Sequence, residues 1–108
     1  IWRSILMAII IYTDEPDELL SAIKTAINDK KIRTWACAKD GRFTHTPEQW
    51  NEKAWLKPIV EEGKLRFVTK LPAGKEEYED DVFGVYNGRF SEMLINHFRD
   101  DFTKIILK

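Results

Sequence analysis

The sequence predicts an α+β fold, and three observations carry that prediction. Short β-branched and aromatic runs alternate with segments of helical periodicity. Glycine- and proline-centred turn signals separate them. The order strand-helix-strand occurs at both ends of the chain, around a hairpin-rich middle. Two split βαβ units in that order give a ferredoxin-like sheet with both main helices on one face, enlarged by an inserted β-hairpin and a short helix.

Residues 8–12 (Ala-Ile-Ile-Ile-Tyr) have the composition of a buried strand and stop at Thr13-Asp14-Glu15-Pro16. A helix follows at once. Pro16 suits its first turn, Asp17 and Glu18 suit the positive end of its dipole, and Leu19, Leu20, Ile23, Ala26 and Ile27 recur at helical spacing until Asn28-Asp29. Residues 32–38 read as a second strand, and Asp40-Gly41 turns the chain into a third at 42–45. Thr46 offers a cap and Pro47 a first helical position, which predicts a short helix over 47–53.

Strands are expected over 55–60 and 64–71, joined by Glu61-Glu62-Gly63. In the second of these, Leu65, Phe67, Thr69 and Leu71 alternate with Lys64, Arg66, Val68 and Lys70, so one face is apolar and the other largely basic. Pro58 lacks an amide hydrogen and puts its strand at an edge or a bulge. Residues 72–81 combine turn formers with acidic residues and read as a mobile loop. Residues 82–86 return to strand character, Asn87-Gly88 opens a helix over 89–99, and 102–107 makes the last strand.

At 108 residues the chain is expected to be one domain, spanning 1–108. Hydrophobic residues make up 44% and charged residues 32%, which excludes wholesale disorder. With 17 basic and 18 acidic residues the net charge is -1, so no global field draws the protein to nucleic acid or anionic lipid. The single Cys37 removes the disulfide-scaffold class and fits the cytoplasm. The apolar opening is interrupted at Arg3-Ser4 and falls short of the ~20 residues that span a bilayer. Met7 is a candidate start, which makes 1–6 a non-native or flexible lead.

Trp35, Trp50 and Trp55, interspersed with Asp40, Arg42, His45 and Glu48, form the densest unusual stretch. Indole rings can line a ligand pocket, although core filling in a small domain accounts for them more readily. Cys37, His45 and Asp40 suggest a nucleophile, base and orienter, yet an apolar setting raises a thiol pKa, opposite to what a nucleophile needs. His97 is expected on the apolar face with Phe90, Met93, Leu94 and Phe98, as a buried neutral imidazole. Arg89, Glu92 and Asn96 are expected on the opposite side of that helix, as a solvated ion pair and its neighbour. Arg89 beside Asn87-Gly88 could instead reinforce an anion site at a helix start.

No CxxC or HxxxH spacing, glycine-rich phosphate loop or G-x-S-x-G elbow is present, so neither a metal nor a cofactor is expected. Lys64, Arg66 and Lys70, with Lys57 nearby, could track a single-stranded nucleic acid. Lysines that guard an edge strand against sheet-to-sheet pairing explain them more simply.

Residues 43–50 (Phe-Thr-His-Thr-Pro-Glu-Gln-Trp) with Lys53-Ala54-Trp55, and Tyr86-Asn87-Gly88-Arg89-Phe90 with Glu92-Met93-Leu94 and His97-Phe98, resemble segments of small bacterial proteins of unassigned function carried on mobile gene cassettes. The resemblance implies a stand-alone bacterial protein and brings no activity, cofactor or catalytic residue with it.

The functional expectation is a non-catalytic module that binds a small molecule or protein and self-associates as a homo-oligomer, with no membrane partner. Its candidate ligand-binding residues are Trp35, His45, Trp50, Trp55, Tyr86, Arg89 and His97. The alternatives are a small enzyme using His45 or His97 as acid or base, and single-stranded nucleic-acid binding through the basic strand face.

Overall fold

Alternation and helical periodicity translate into nine elements in the computed structural model, which describes residues 8–75 and 79–108. In chain order they are β1 (Ala8–Tyr12), α1 (Pro16–Asn28), β2 (Trp35–Cys37), β3 (Phe43–His45), β4 (Trp55–Glu61), β5 (Lys64–Lys70), α2 (Asp80–Phe98), a 3-10 turn at Arg99–Asp101, and β6 (Lys104–Leu107). The strands form one six-stranded sheet in the order β2-β3-β4-β5-β1-β6. Every neighbouring pair is antiparallel.

Side-chain alternation assigns the two faces of the sheet. Ile9 and Ile11 of β1, Phe43 of β3, Leu56 of β4 and Leu65 and Phe67 of β5 are each 0% exposed and belong to one core with Leu19, Ile23 and Ile27 of α1 and Val82, Tyr86, Phe90, Met93, Leu94 and Phe98 of α2. Both helices therefore pack on the same face. Aromatic rings pack edge to face through this layer, with centroids 4.6 Å apart for Phe67 and Phe90 and 4.9 Å for Phe90 and Trp35. Tyr12, Trp55, Lys57, Lys64, Arg66, Lys70 and Lys104 fall on the other face by register.

Three expected elements are corrected. Residues 82–86 are helix, because Val82, Tyr86, Phe90, Leu94 and Phe98 continue a single buried stripe that a strand would split. Asn87 is buried inside α2 rather than turning the chain, its amide nitrogen donating to the Phe83 carbonyl at 2.8 Å and to the Thr69 hydroxyl at 3.1 Å. The short helix over 47–53 is replaced by tight turns, in which the Trp50 amide donates to the Pro47 carbonyl at 2.8 Å and the Lys53 amide to the Trp50 carbonyl at 3.1 Å. Glu52 has a φ of 59°, outside right-handed helical space, and the Thr46 hydroxyl donates to the Arg33 carbonyl instead of capping.

The strand expected at an edge or a bulge on account of Pro58 is paired to β3 only through Phe43 and Leu56. From Lys57 onward its outer ladder has no partner among the described residues, which is where proline is tolerated. β5 is different: it is paired along its length to β4 and over Lys64 to Val68 to β1. Its lysines do not guard an edge. Of the acidic loop expected at 72–81, residues 76–78 lie outside the described residues, and Asp80 and Asp81 form the first turn of α2. The expected lead at 1–6 also lies outside them. No described helix is long and apolar enough to cross a membrane.

Candidate ligand-binding cleft

The end of α1 sets one wall of a cleft. The Lys30 amide donates to the Ile27 carbonyl at 3.1 Å and the Lys31 amide to the Ala26 carbonyl at 2.9 Å, with Lys30 at a φ of 63°. This pair of bonds and the left-handed residue between them form a Schellman turn, which reverses the chain and delivers Lys31 to Thr34 alongside the sheet. β2 and β3 then bring Trp35 opposite His45, their rings 4.5 Å apart between centroids. The turns after β3 supply Pro47 and Trp50, and α2 closes the far side.

The resulting cleft has a volume of about 520 Å³, within the range of small-molecule sites. Lys31, Arg33 and Arg89 are its cations, Glu92 its carboxylate, and Trp35, His45, Trp50 and His97 its aromatic groups. Arg89 is held to Glu92 by a single exposed 3.2 Å contact, which leaves most of its guanidinium donors turned to solvent.

His45 is 5% exposed, and its Nδ1 lies 2.7 Å from the Thr34 carbonyl. A carbonyl only accepts, so Nδ1 carries the proton and donates, which leaves Nε2 as an acceptor. Burial holds the imidazole below its ordinary pKa, the Thr34 hydrogen bond opposes this, and the Arg89 charge adds to the lowering. The ring is neutral at pH 7. Tyr86 is 0% exposed; its hydroxyl donates to the Trp50 carbonyl and lies 2.9 Å from the Thr44 hydroxyl, tying the cleft floor to α2.

Trp35, His45, Trp50, Arg89 and His97 thus meet in one cleft, while two of the expected residues do not. Tyr86 supports it from the core. Trp55 lies on the opposite face of the sheet, with the Arg42 guanidinium 5.0 Å above its ring, so Trp50 and Trp55 share no surface. His97 is exposed rather than buried, because the last turn of α2 faces the open cleft with Met93 and Asn96. Arg89, Glu92 and Asn96, expected on the far side of the helix, line the same cleft as His97. Sequence reasoning missed Lys31 and Arg33. Their signal was the basic run directly after α1, which reads as a solvated helix end until the Schellman turn folds it back.

Among the described residues no carboxylate hydrogen-bonds to either imidazole. Cys37 and Asp40 take no part in the cleft: burial pushes the thiol above its ordinary pKa, and Asp40 accepts from the Arg42 amide at 3.1 Å and from its Nε at 2.7 Å. These Arg42 contacts, the backbone amide first, hold the Asp40 carboxyl below its usual pKa. Also among the described residues, no three His, Cys, Asp or Glu side chains are grouped as a metal ion requires. No family model, curated protein or solved structure matches the chain.

Proposed function

We propose that the protein is a non-catalytic binding module whose cleft takes a small planar anion. The observation that carries the reading is the meeting of Lys31, Arg33 and Arg89 with the rings of Trp35, His45 and Trp50 in one concavity, drawn from segments far apart in sequence. Cations at the rim supply charge-assisted hydrogen bonds to a carboxylate or phosphate, and the indoles supply a rigid apolar wall for a ring. Neutral His45 adds an acceptor for a ligand N–H or O–H. An enzyme reading lacks the carboxylate that would orient either imidazole as a base.

The test is isothermal titration with benzoate and phenyl phosphate. Binding by the wild type, weakened roughly tenfold or more in Arg89→Ala, fits the loss of a charge-assisted bond. Unchanged affinity in Arg89→Ala contradicts the reading.

Self-association belongs to the same proposal. β6 is an edge strand, and Leu107 on it is 51% exposed, so two β6 edges related by a two-fold axis extend the sheet. Native mass spectrometry is expected to find a dimer that Leu107→Lys dissociates. We further read β4-β5-β1-β6 with α1 and α2 as a ferredoxin-like core to which β2 and β3 add an edge hairpin. Its support is that β5 lies between β4 and β1, and β1 between β5 and β6. A cytoplasmic setting fits the single free Cys37.

A further inference from the structure

The face of the sheet turned away from the helices has a charge pattern that the cleft does not explain. By register it carries Lys57 from β4, Lys64, Arg66 and Lys70 from β5 and Lys104 from β6, against Glu61 as the acid of the same strands. Glu61 is already taken up by Arg66, with Lys64 3.8 Å away. No ion pair among the described residues holds Lys57, Lys70 or Lys104. Basic strands commonly protect sheet edges, but β5 is interior, with partners on both sides, so that explanation is removed for Lys64, Arg66 and Lys70, while Lys57 and Lys104 lie on strands with an open edge.

Aromatic rings bound this basic track at both ends. Trp55 lies across from Lys70 and carries the Arg42 guanidinium at 5.0 Å; Tyr12 lies across from Lys64 and carries the Lys104 ammonium at 4.9 Å. Both rings are partly exposed. Between them the strand runs about 20 Å, from its rise per residue. We infer that this face binds single-stranded nucleic acid, with the lysines along β5 following phosphates and the rings at either end stacking bases.

Charge complementarity selects this occupant. A second copy docked face to face would set cations against cations. An anionic membrane would match the charge, but the exposed large apolar residues Val60, Ile95 and Leu107 lie elsewhere: Val60 and Leu107 point to the helix side by register, and Ile95 is on α2. Among the described residues, the aliphatic side chains that register puts on this face, Ile10, Ile59, Val68 and Ile106, are buried or half-buried, so none stands out to insert among acyl chains.

The experiment is fluorescence anisotropy of a labelled dT12 oligonucleotide with the whole chain, across a salt series. Neutralising about four phosphates gives a slope of log K on log salt near −3, so affinity falls on the order of 50-fold between 50 and 200 mM salt. Lys57→Gln with Lys70→Gln, both at exposed positions, should roughly halve the slope. Lys39→Gln with Lys53→Gln makes the same charge change at other exposed sites and should leave it unaltered. Absence of salt-dependent binding overturns the inference. So does tighter binding to a duplex of the same length, to polyglutamate, or to phosphatidylserine vesicles, or an equal loss in the two double variants.

Discussion

His45 links stability to the state of the cleft at the scale of one side chain. Its folded pKa lies below the ordinary value of 6.5, chiefly through burial. The unfolded chain therefore takes up the proton first as pH falls. The stabilising contribution is complete above about pH 6.5 and is lost progressively below it, toward the folded pKa. The melting temperature should fall between pH 7 and 5.5, with a smaller slope in His45→Asn; an identical slope in the variant would remove this assignment. Tyr86 makes the complementary prediction. Tyr86→Phe removes one of the two hydrogen bonds to the Trp50 carbonyl, which keeps the Lys53 amide, together with the contact to the Thr44 hydroxyl, so urea denaturation should show a loss of about 0.5–1.5 kcal/mol. The identities of these residues were legible in the sequence, but their roles depended on partners many positions away, such as Thr34 for His45 and Trp50 for Tyr86.

At the scale of elements, the boundaries of β1 and α1 were readable because their local signals agree: a β-branched run, then Pro16 and an acidic first turn. α2 was misread where local and tertiary signals conflict. Val82, Phe83, Val85 and Tyr86 have strand propensity and Asn87-Gly88 resembles a turn, yet packing of Tyr86 and Phe90 on the sheet selects the helix. Glycines at these positions supply a direct check. Gly84 and Gly88 lie within α2 with no heavy atom within 4 Å of an added Cβ outside the local backbone. Gly84→Ala and Gly88→Ala should each add roughly 0.5–1 kcal/mol in urea titrations, by helix propensity. Gly63, in the turn between β4 and β5 at a φ of +76°, should behave oppositely, Gly63→Ala costing about 1 kcal/mol. Stabilisation at Gly63 and loss at Gly84 would contradict the element assignments.

Over the whole molecule, a net charge of -1 conceals a division between surfaces. The outer sheet face is basic, while Asp14, Glu15, Asp17 and Glu18 gather at the start of α1 and Asp80 and Asp81 at that of α2. Glu15 reports the crowding directly, its pKa raised first by a hydrogen bond with Glu18 and then by that residue's charge. Composition alone gave no sign of this separation, since it depends on which face of each strand looks outward. The alternation in β5 did show it, and only the interior position of that strand gave the lysines a meaning beyond edge protection. The cleft was half visible in the same way: its rings stood out by type, whereas Lys31 and Arg33 required the reversal after α1.

The central claim is that the cleft between α2, β2, β3 and the end of α1 is the ligand site. Amide chemical-shift mapping of the labelled protein during titration with benzoate and phenyl phosphate, with benzyl alcohol as the neutral analogue, tests it most directly. Shifts concentrated at residues 31–35, 45–50 and 89–97 with the anions, and absent with benzyl alcohol, are predicted. Shifts centred elsewhere, or none with either anion, would contradict the account.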